Sequence, residues 1–141
     1  MILSIDPGRQ KCGWAWVDEN GQVKGLGILS REELEVWIGH KNFCAQPLSG
    51  LTWGEAPTPP LDLCLVGNGT TSAALVELFN REAVQTCLVD ERGTTERAYQ
   101  LYEQLFPPRG LRRLIPAGLR RPPRPVDDFA AWAIALRYLG K

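Results

Sequence analysis

Five carboxylates stand where the chain changes direction. Asp6 follows the apolar run Met1 to Ile5, Asp90 and Glu91 follow Val84 to Val89, and Asp127 and Asp128 open an alanine-rich stretch running through Leu139. Acids at strand ends and helix starts lie on the edge where open α/β sheets build their sites. Brought to one point they repel unless protons or cations neutralise them, so bound metal is the best account of such a cluster. Two divalent ions on shared carboxylates stabilise both the attacking water and the leaving oxygen of an in-line phosphoryl displacement. Read singly, each acid is equally suited to a helix N-terminus. Softer ligands are scarce: His40 is the only histidine, and Cys12, Cys44, Cys64 and Cys87 form no Cys-x-x-Cys pair, which argues against zinc. Any metal is then a hard cation on oxygen ligands, Mg2+ or Mn2+. The cysteines read as small buried apolar residues, with a disulfide or reactive thiol as the alternative.

The formal net charge of zero conceals a division along the chain. Residues 1–105 hold 8 Lys/Arg against 14 Asp/Glu, and residues 106–141 hold 8 against 2, giving −6 and +6. The basic half concentrates in PPRGLRRLIPAGLRRPPRP, Pro107 to Pro125, whose six arginines are Arg109, Arg112, Arg113, Arg120, Arg121 and Arg124. Arginine in a proline-stiffened segment suits phosphate recognition, because the guanidinium fork grips two oxygens at once; the alternative is a solvated linker. Leu111, Leu114, Ile115 and Leu119 are interleaved, so the segment is expected to pack partly on the domain.

The elements that must position these groups follow from periodicity and punctuation. Met1–Ile5, Cys12–Val17 and Gln22–Leu29 read as three strands, the last two joined by the Asp18-Glu19-Asn20-Gly21 turn. Ser30 with Glu33 forms a capping box for a helix to about Ile38. His40 to Pro60 shows no convincing periodicity. Leu61–Val66 is a buried strand that breaks at Gly67-Asn68-Gly69-Thr70-Thr71-Ser72 before a helix carrying Ala74, Leu75, Leu78 and Phe79. That loop has two readings: a phosphate cradle through its backbone N–H groups, with Asn68 and Thr70 at hand, or a tight turn capped by Thr70 or Ser72. Val84–Val89 is a fifth strand, a helix runs to about Phe106, and the last helix begins at Asp127. The expected fold is α/β, one domain over residues 1–141, with a mixed five-stranded sheet flanked by helices. Trp14, Trp16 and Trp132 belong to the core and Trp37 to a helix face, which leaves Trp53 as the aromatic to stack on a base.

Three motifs in order carry a family resemblance. MILSIDPGRQKCGWAWVD resembles the first hairpin of the RNase H-like nucleases, in particular the RuvC-like Holliday junction resolvases and the YqgF/RuvX-like family, through Asp6, Gly8, Lys11 and Gly13. LVDERGTTERAYQLY is similar to the YqgF Asp-Glu-Arg motif through Asp90, Glu91, Arg92 and Thr95, and VDDFAAWAIALRYL resembles that family's last helix. LVGNGTTS, where the narrower family usually has a Val-Gly-x-Pro turn, marks a divergent member. The resemblance implies an RNase H-like fold and a catalytic set of Asp6, Glu91 and Asp127, with Asp128 as substitute; successive helical residues point about 100° apart, so one of the two faces the cluster. It implies two Mg2+ or Mn2+ ions on Asp6, Glu91 and Asp127. Lys11, Arg92, the glycine loop and the six arginines are expected to hold nucleic acid, although Lys11 and Arg92 serve equally to balance the acids.

The leading expectation is a metal-dependent endonuclease acting on branched DNA or precursor ribosomal RNA. A second is a catalytically inactive nucleic-acid-binding module of the same fold. A third, an actin-like ATPase or sugar kinase fragment, shares the Asp-x-Gly loop, but 141 residues without a second such unit cannot close a nucleotide cleft. Apolar residues at 44% and charged residues at 23% fit a globular chain, and no apolar run approaches the roughly 20 residues of a membrane span. A cytoplasmic location and no membrane partner are expected. Paired cleavage of a four-way junction would need a homodimer.

Overall fold

The computed structural model describes residues 1–39, 47–58, 61–69 and 71–141. Its strands are β1 (Ile2–Asp6), β2 (Lys11–Val17), β3 (Val23–Ser30), β4 (Leu51–Gly54), β5 (Leu63–Gly67) and β6 (Thr86–Val89). The helices are α1 (Arg31–Gly39), α2 (Ser72–Arg81), α3 (Thr94–Leu105) and α4 (Asp127–Leu139), with short 3-10 turns at Gly110–Leu114 and Ala117–Leu119. One mixed sheet runs β4-β3-β2-β1-β5-β6. β1 to β4 pair antiparallel in succession, and β1, β5 and β6 pair parallel, so β1 lies at the join between the two halves.

Local chemistry sets the hairpins and helix starts. Asp18 Oδ1 accepts the N–H groups of Asn20 and Gln22, both at 2.9 Å, and Gly21 takes φ +87°, so the turn closes on its own side chain. Ser30 Oγ accepts the Glu33 N–H at 3.0 Å, the first half of the expected capping box, while the Glu33 carboxylate takes the Ser49 hydroxyl at 3.0 Å.

Strand alternation divides the core. On one face Leu3, Ile5, Cys12, Trp14, Cys64 and Val66 pack against Leu34 and Ile38 of α1 and Leu75 and Phe79 of α2. On the other, Ile2, Ala15, Val17 and Leu65 pack against α4 and against Ala98 and Leu101 of α3. The α4 face of β2 carries Gly13 and Ala15, whose small size lets the helix lie close. Trp14 and Trp16 are buried as expected, and the Trp14 ring occupies the space that a side chain at Gly27 would need. Cys12 and Cys64 are buried, as expected, and Cys87 is half-buried.

The sheet has six strands rather than the five expected. β4 leaves no alternating pattern in the sequence, because Leu51, Thr52 and Gly54 are exposed and Trp53 alone is half-buried. Its hold is backbone: Glu55 N–H donates to the Lys24 carbonyl at 3.0 Å and Ile28 N–H to the Gly50 carbonyl at 2.9 Å, with Gly50 and Gly54 at positive φ. Trp53, in β4, packs half-buried against the α4-side core instead of standing free to stack. Among the described residues no helix is long and apolar enough to cross a membrane.

Candidate active site

Asp6 ends β1 on the α4 side of the sheet, in register with Gly13 of β2. A Cβ at Gly13 would collide with the Asp127 carbonyl and lie 2.6 Å from the Asp128 nitrogen, so the bare glycine is what lets the first turn of α4 rest on the strand beside Asp6. Glu91 reaches the same point from the turn after β6. Its carboxylate lies over Gly67 and Gly69, and a Cβ at Gly67 would stand 2.7 Å from Glu91 Oε2. Three glycines thus clear the ground, Gly67 and Gly69 for the Glu91 carboxylate and Gly13 for the first turn of α4.

The electrostatics record the crowding. The Asp6 carboxyl is raised to about 8, first by burial, then by the charge of Glu91 and a hydrogen bond shared with it, and finally by the charge of Asp127. Without a cation, Asp6 therefore holds a proton against Glu91 at neutral pH. The Glu91 backbone is pinned on both sides: its N–H donates to Asn68 Oδ1 at 3.3 Å, and its carbonyl accepts the Thr94 N–H at 3.2 Å and hydroxyl at 2.7 Å. Asn68, expected to face nucleic acid, braces the acidic turn; the buried Thr94, not the exposed Thr95, is the threonine that holds Glu91.

Asp128 belongs to another network. It is fully buried, takes the Arg124 guanidinium on both oxygens at 3.2 and 3.1 Å, accepts the Thr52 hydroxyl at 2.6 Å and its neighbour Phe129 N–H at 2.9 Å. The structure does not bring it into the cluster; Asp127 lies near enough for its charge to raise Asp6, the least of the causes that do so. Asp90 also stands apart, held low by hydrogen bonds from Arg92 and by the nearby Arg137. Arg92 is accordingly paired with Asp90 at 3.0 Å and largely exposed. Lys11 is exposed at the head of β2.

Arg31 gave no sign of a role in the sequence. Its guanidinium donates to the Gly8 carbonyl at 3.1 Å and the Thr71 carbonyl at 3.0 Å, while Nε bonds Glu35 at 2.9 Å. It ties the turn after Asp6 to the turn after β5, the two loops that flank the acids. The expected Thr70 or Ser72 cap on α2 is different in the structure: Ser72 sits inside the helix, its hydroxyl donating back to the Gly69 carbonyl at 2.7 Å. Thr70, His40, Phe43 and Cys44 lie outside the described residues.

The arginine segment is attached in a way the sequence reading reversed. Leu111, Leu114 and Leu119 are exposed at 82, 79 and 72%, and Ile115 is exposed too, so the leucines do not dock it. The arginines do. Arg120 grips Glu103 through two bonds of 2.7 and 3.1 Å, Arg121 lies 5.0 Å over the Tyr99 ring, and Arg112 donates to the Arg121 carbonyl at 2.7 Å. Arg124, besides holding Asp128, covers the Tyr102 and Phe129 rings at 5.6 and 5.5 Å. Flat guanidinium groups thus do the packing that leucine was expected to do. Arg109 and Arg113 make no hydrogen bond or ion pair among the described residues.

No family model and no curated protein matches this chain. What the fold and site define is an α/β protein with a six-stranded mixed sheet and a half-buried carboxylate pair, Asp6 at the end of β1 and Glu91 after β6, with the charge of Asp127 at the start of α4 nearby.

Proposed function

We propose that the protein is an RNase H-like, metal-dependent endonuclease that hydrolyses phosphodiester bonds in structured nucleic acid, branched DNA or precursor ribosomal RNA, in the cytoplasm. The observation that carries this reading is the Asp6 carboxyl, raised to about 8 by burial and by Glu91 and Asp127. Among the described residues Asp6 and Glu91 are paired with no arginine or lysine, which leaves the neutralising charge to come from elsewhere.

The donor set fits a hard cation: every donor is a carboxylate oxygen, and the proton shared between Asp6 and Glu91 stands where a divalent ion would compensate the same charge. Among the described residues no three such side chains stand at mutual ligand distance, so Asp127 would have to turn inward to complete the set. When bound, Mg2+ or Mn2+ supplies activation of the attacking water and stabilisation of the leaving 3′ oxygen. The chain's own part is positional. Asn68 and Thr94 fix Glu91, Arg31 holds the flanking loops together, and Gly13 seats Asp127 beside Asp6. Lys11, Arg109 and Arg113 offer cationic groups for strand phosphates. Cutting both strands of a four-way junction would recruit a second copy.

The test is incubation with a four-way DNA junction, linear duplex and structured RNA in Mg2+ or Mn2+. Cleavage that falls to background in Asp6→Asn, with fold and nucleic-acid binding kept, is expected; cleavage retained in that variant overturns the proposal. That no third acid stands at ligand distance from Asp6 and Glu91 among the described residues favours a second reading, a binding module without catalysis, which gives salt-sensitive binding and no cleavage in either metal.

A further inference from the structure

A recess of about 390 Å³ lies between α3 and the proline-arginine segment, within the range of small-molecule sites. Its floor is aromatic: Tyr99, Tyr102 and Phe106 recur at spacings of three and four, which puts them on one face at the end of α3, and the Tyr102 and Phe106 rings lie 5.2 Å apart. Prolines from both flanks of the segment close the sides. Arg109 and Arg112 stand at the lining, together with Arg120 and Glu103. The last two cancel, since Arg120 grips Glu103 and holds its carboxyl below the usual range. The remaining charge is therefore positive, with the Arg109 guanidinium uncommitted.

Aromatic faces and proline edges beside the uncommitted Arg109 guanidinium fit a flat heteroaromatic ring that carries an anion. An aliphatic ligand would leave the guanidinium groups unused, and a paired base is covered on both faces by its neighbours. We infer that this recess takes a single unstacked base of a nucleic-acid strand, its ring against Phe106 and Tyr102 and its adjoining phosphate on Arg109. The inference rests on the nucleic-acid reading above but involves none of the acids. Arg124 links the recess to the acidic site, because it covers Tyr102 and binds Asp128, the residue after Asp127. A base held here would anchor the strand beside the acids and select substrates with an unpaired nucleotide.

The experiment is fluorescence anisotropy in EDTA, where no cleavage occurs, with a labelled duplex carrying one extrahelical base and its fully paired counterpart. The wild-type chain is expected to bind the extrahelical duplex about tenfold more tightly, the scale of one base stacked on an aromatic ring. Phe106→Ala should erase that preference while retaining binding to paired duplex, and Arg109→Ala should bring the two affinities together while weakening both, with circular dichroism confirming the fold. Arg109 is exposed, so its variant keeps the test valid should Phe106→Ala fail to fold. Equal wild-type affinity for the two duplexes overturns the recess assignment and leaves the nuclease reading standing; no binding to either overturns both. Thymidine 5′-monophosphate competing as strongly as the oligonucleotide, or a phosphotyrosine peptide competing better, also overturns it.

Discussion

Asp127 and Asp128 are neighbours at the start of α4, yet they enter opposite environments. Asp128 is buried with everything a carboxylate needs: an arginine fork, a hydroxyl and a backbone N–H. Asp127 stays half-buried and adds its charge to the pair Asp6 and Glu91, where burial and like charge push Asp6 up to about 8. A buried acid that the chain itself satisfies is a fastener, here joining α4 to β4 and to the proline-arginine segment. A buried acid surrounded by other acids is unfinished until a proton or cation arrives, and such unfinished groups are where chemistry is to be sought.

Substitutions can break that contrast. The largest effect is expected from Asp6→Asn, with cleavage at background and, in metal-free buffer, thermal stability equal to or above wild type, because a neutral amide lies beside Glu91 without having to take up a proton. Asp128→Ala should do the opposite. It strands Arg124 and Thr52 and should cost about 3 kcal/mol, low in the range for a broken buried pair because Arg124 is partly open to solvent; urea denaturation measures it. A metal-binding role for Asp128 would show instead as lost cleavage at unchanged stability. Gly13→Ala tests how the acids are assembled. The added methyl meets the Asp127 carbonyl, so α4 must shift, at about 1–3 kcal/mol by the same denaturation and with loss of cleavage beyond what the unfolded fraction explains.

The gentlest probe is pH. In the folded metal-free protein Asp6 keeps its proton to about 8, whereas the unfolded chain releases it near 3.8. Between these values the folded state binds the extra proton, so this group's stabilisation is complete below about 4 and is lost as pH rises toward 8. Thermal melts in EDTA should decline across that window, and added Mg2+ or Mn2+ should flatten the decline. A flat profile in EDTA would mean that the acids are further apart than the contrast requires.

Much of this arrangement was legible before any coordinates. Asp6 announced itself by ending an apolar run at Asp-Pro-Gly, and Ser30 with Glu33 marked α1 because a cap is a local event between near neighbours. What stayed hidden depends on contacts distant in sequence. β4 is held by backbone bonds to β3, which leave no side-chain signature. The division of labour between Asp127 and Asp128 depends on Thr52 and Arg124, and nothing in Asp-Asp itself distinguishes them. Leu111, Leu114 and Leu119 have the spacing of docking residues yet stay exposed, because the surface they would meet is covered by guanidinium groups stacked on Tyr99, Tyr102 and Phe129.

The seating of α4 on Gly13 also fixes an order in time. Asp6 leaves the ribosome early and Asp127 late, separated by roughly 10 s at synthesis rates of about 5–20 residues per second. During that interval the first acid has no third partner, and the strands that will carry the site lack the helix that covers them. A nascent or prematurely terminated chain ending in the proline-arginine segment would already display arginines able to meet nucleic acid, but not the acids proposed to cut it.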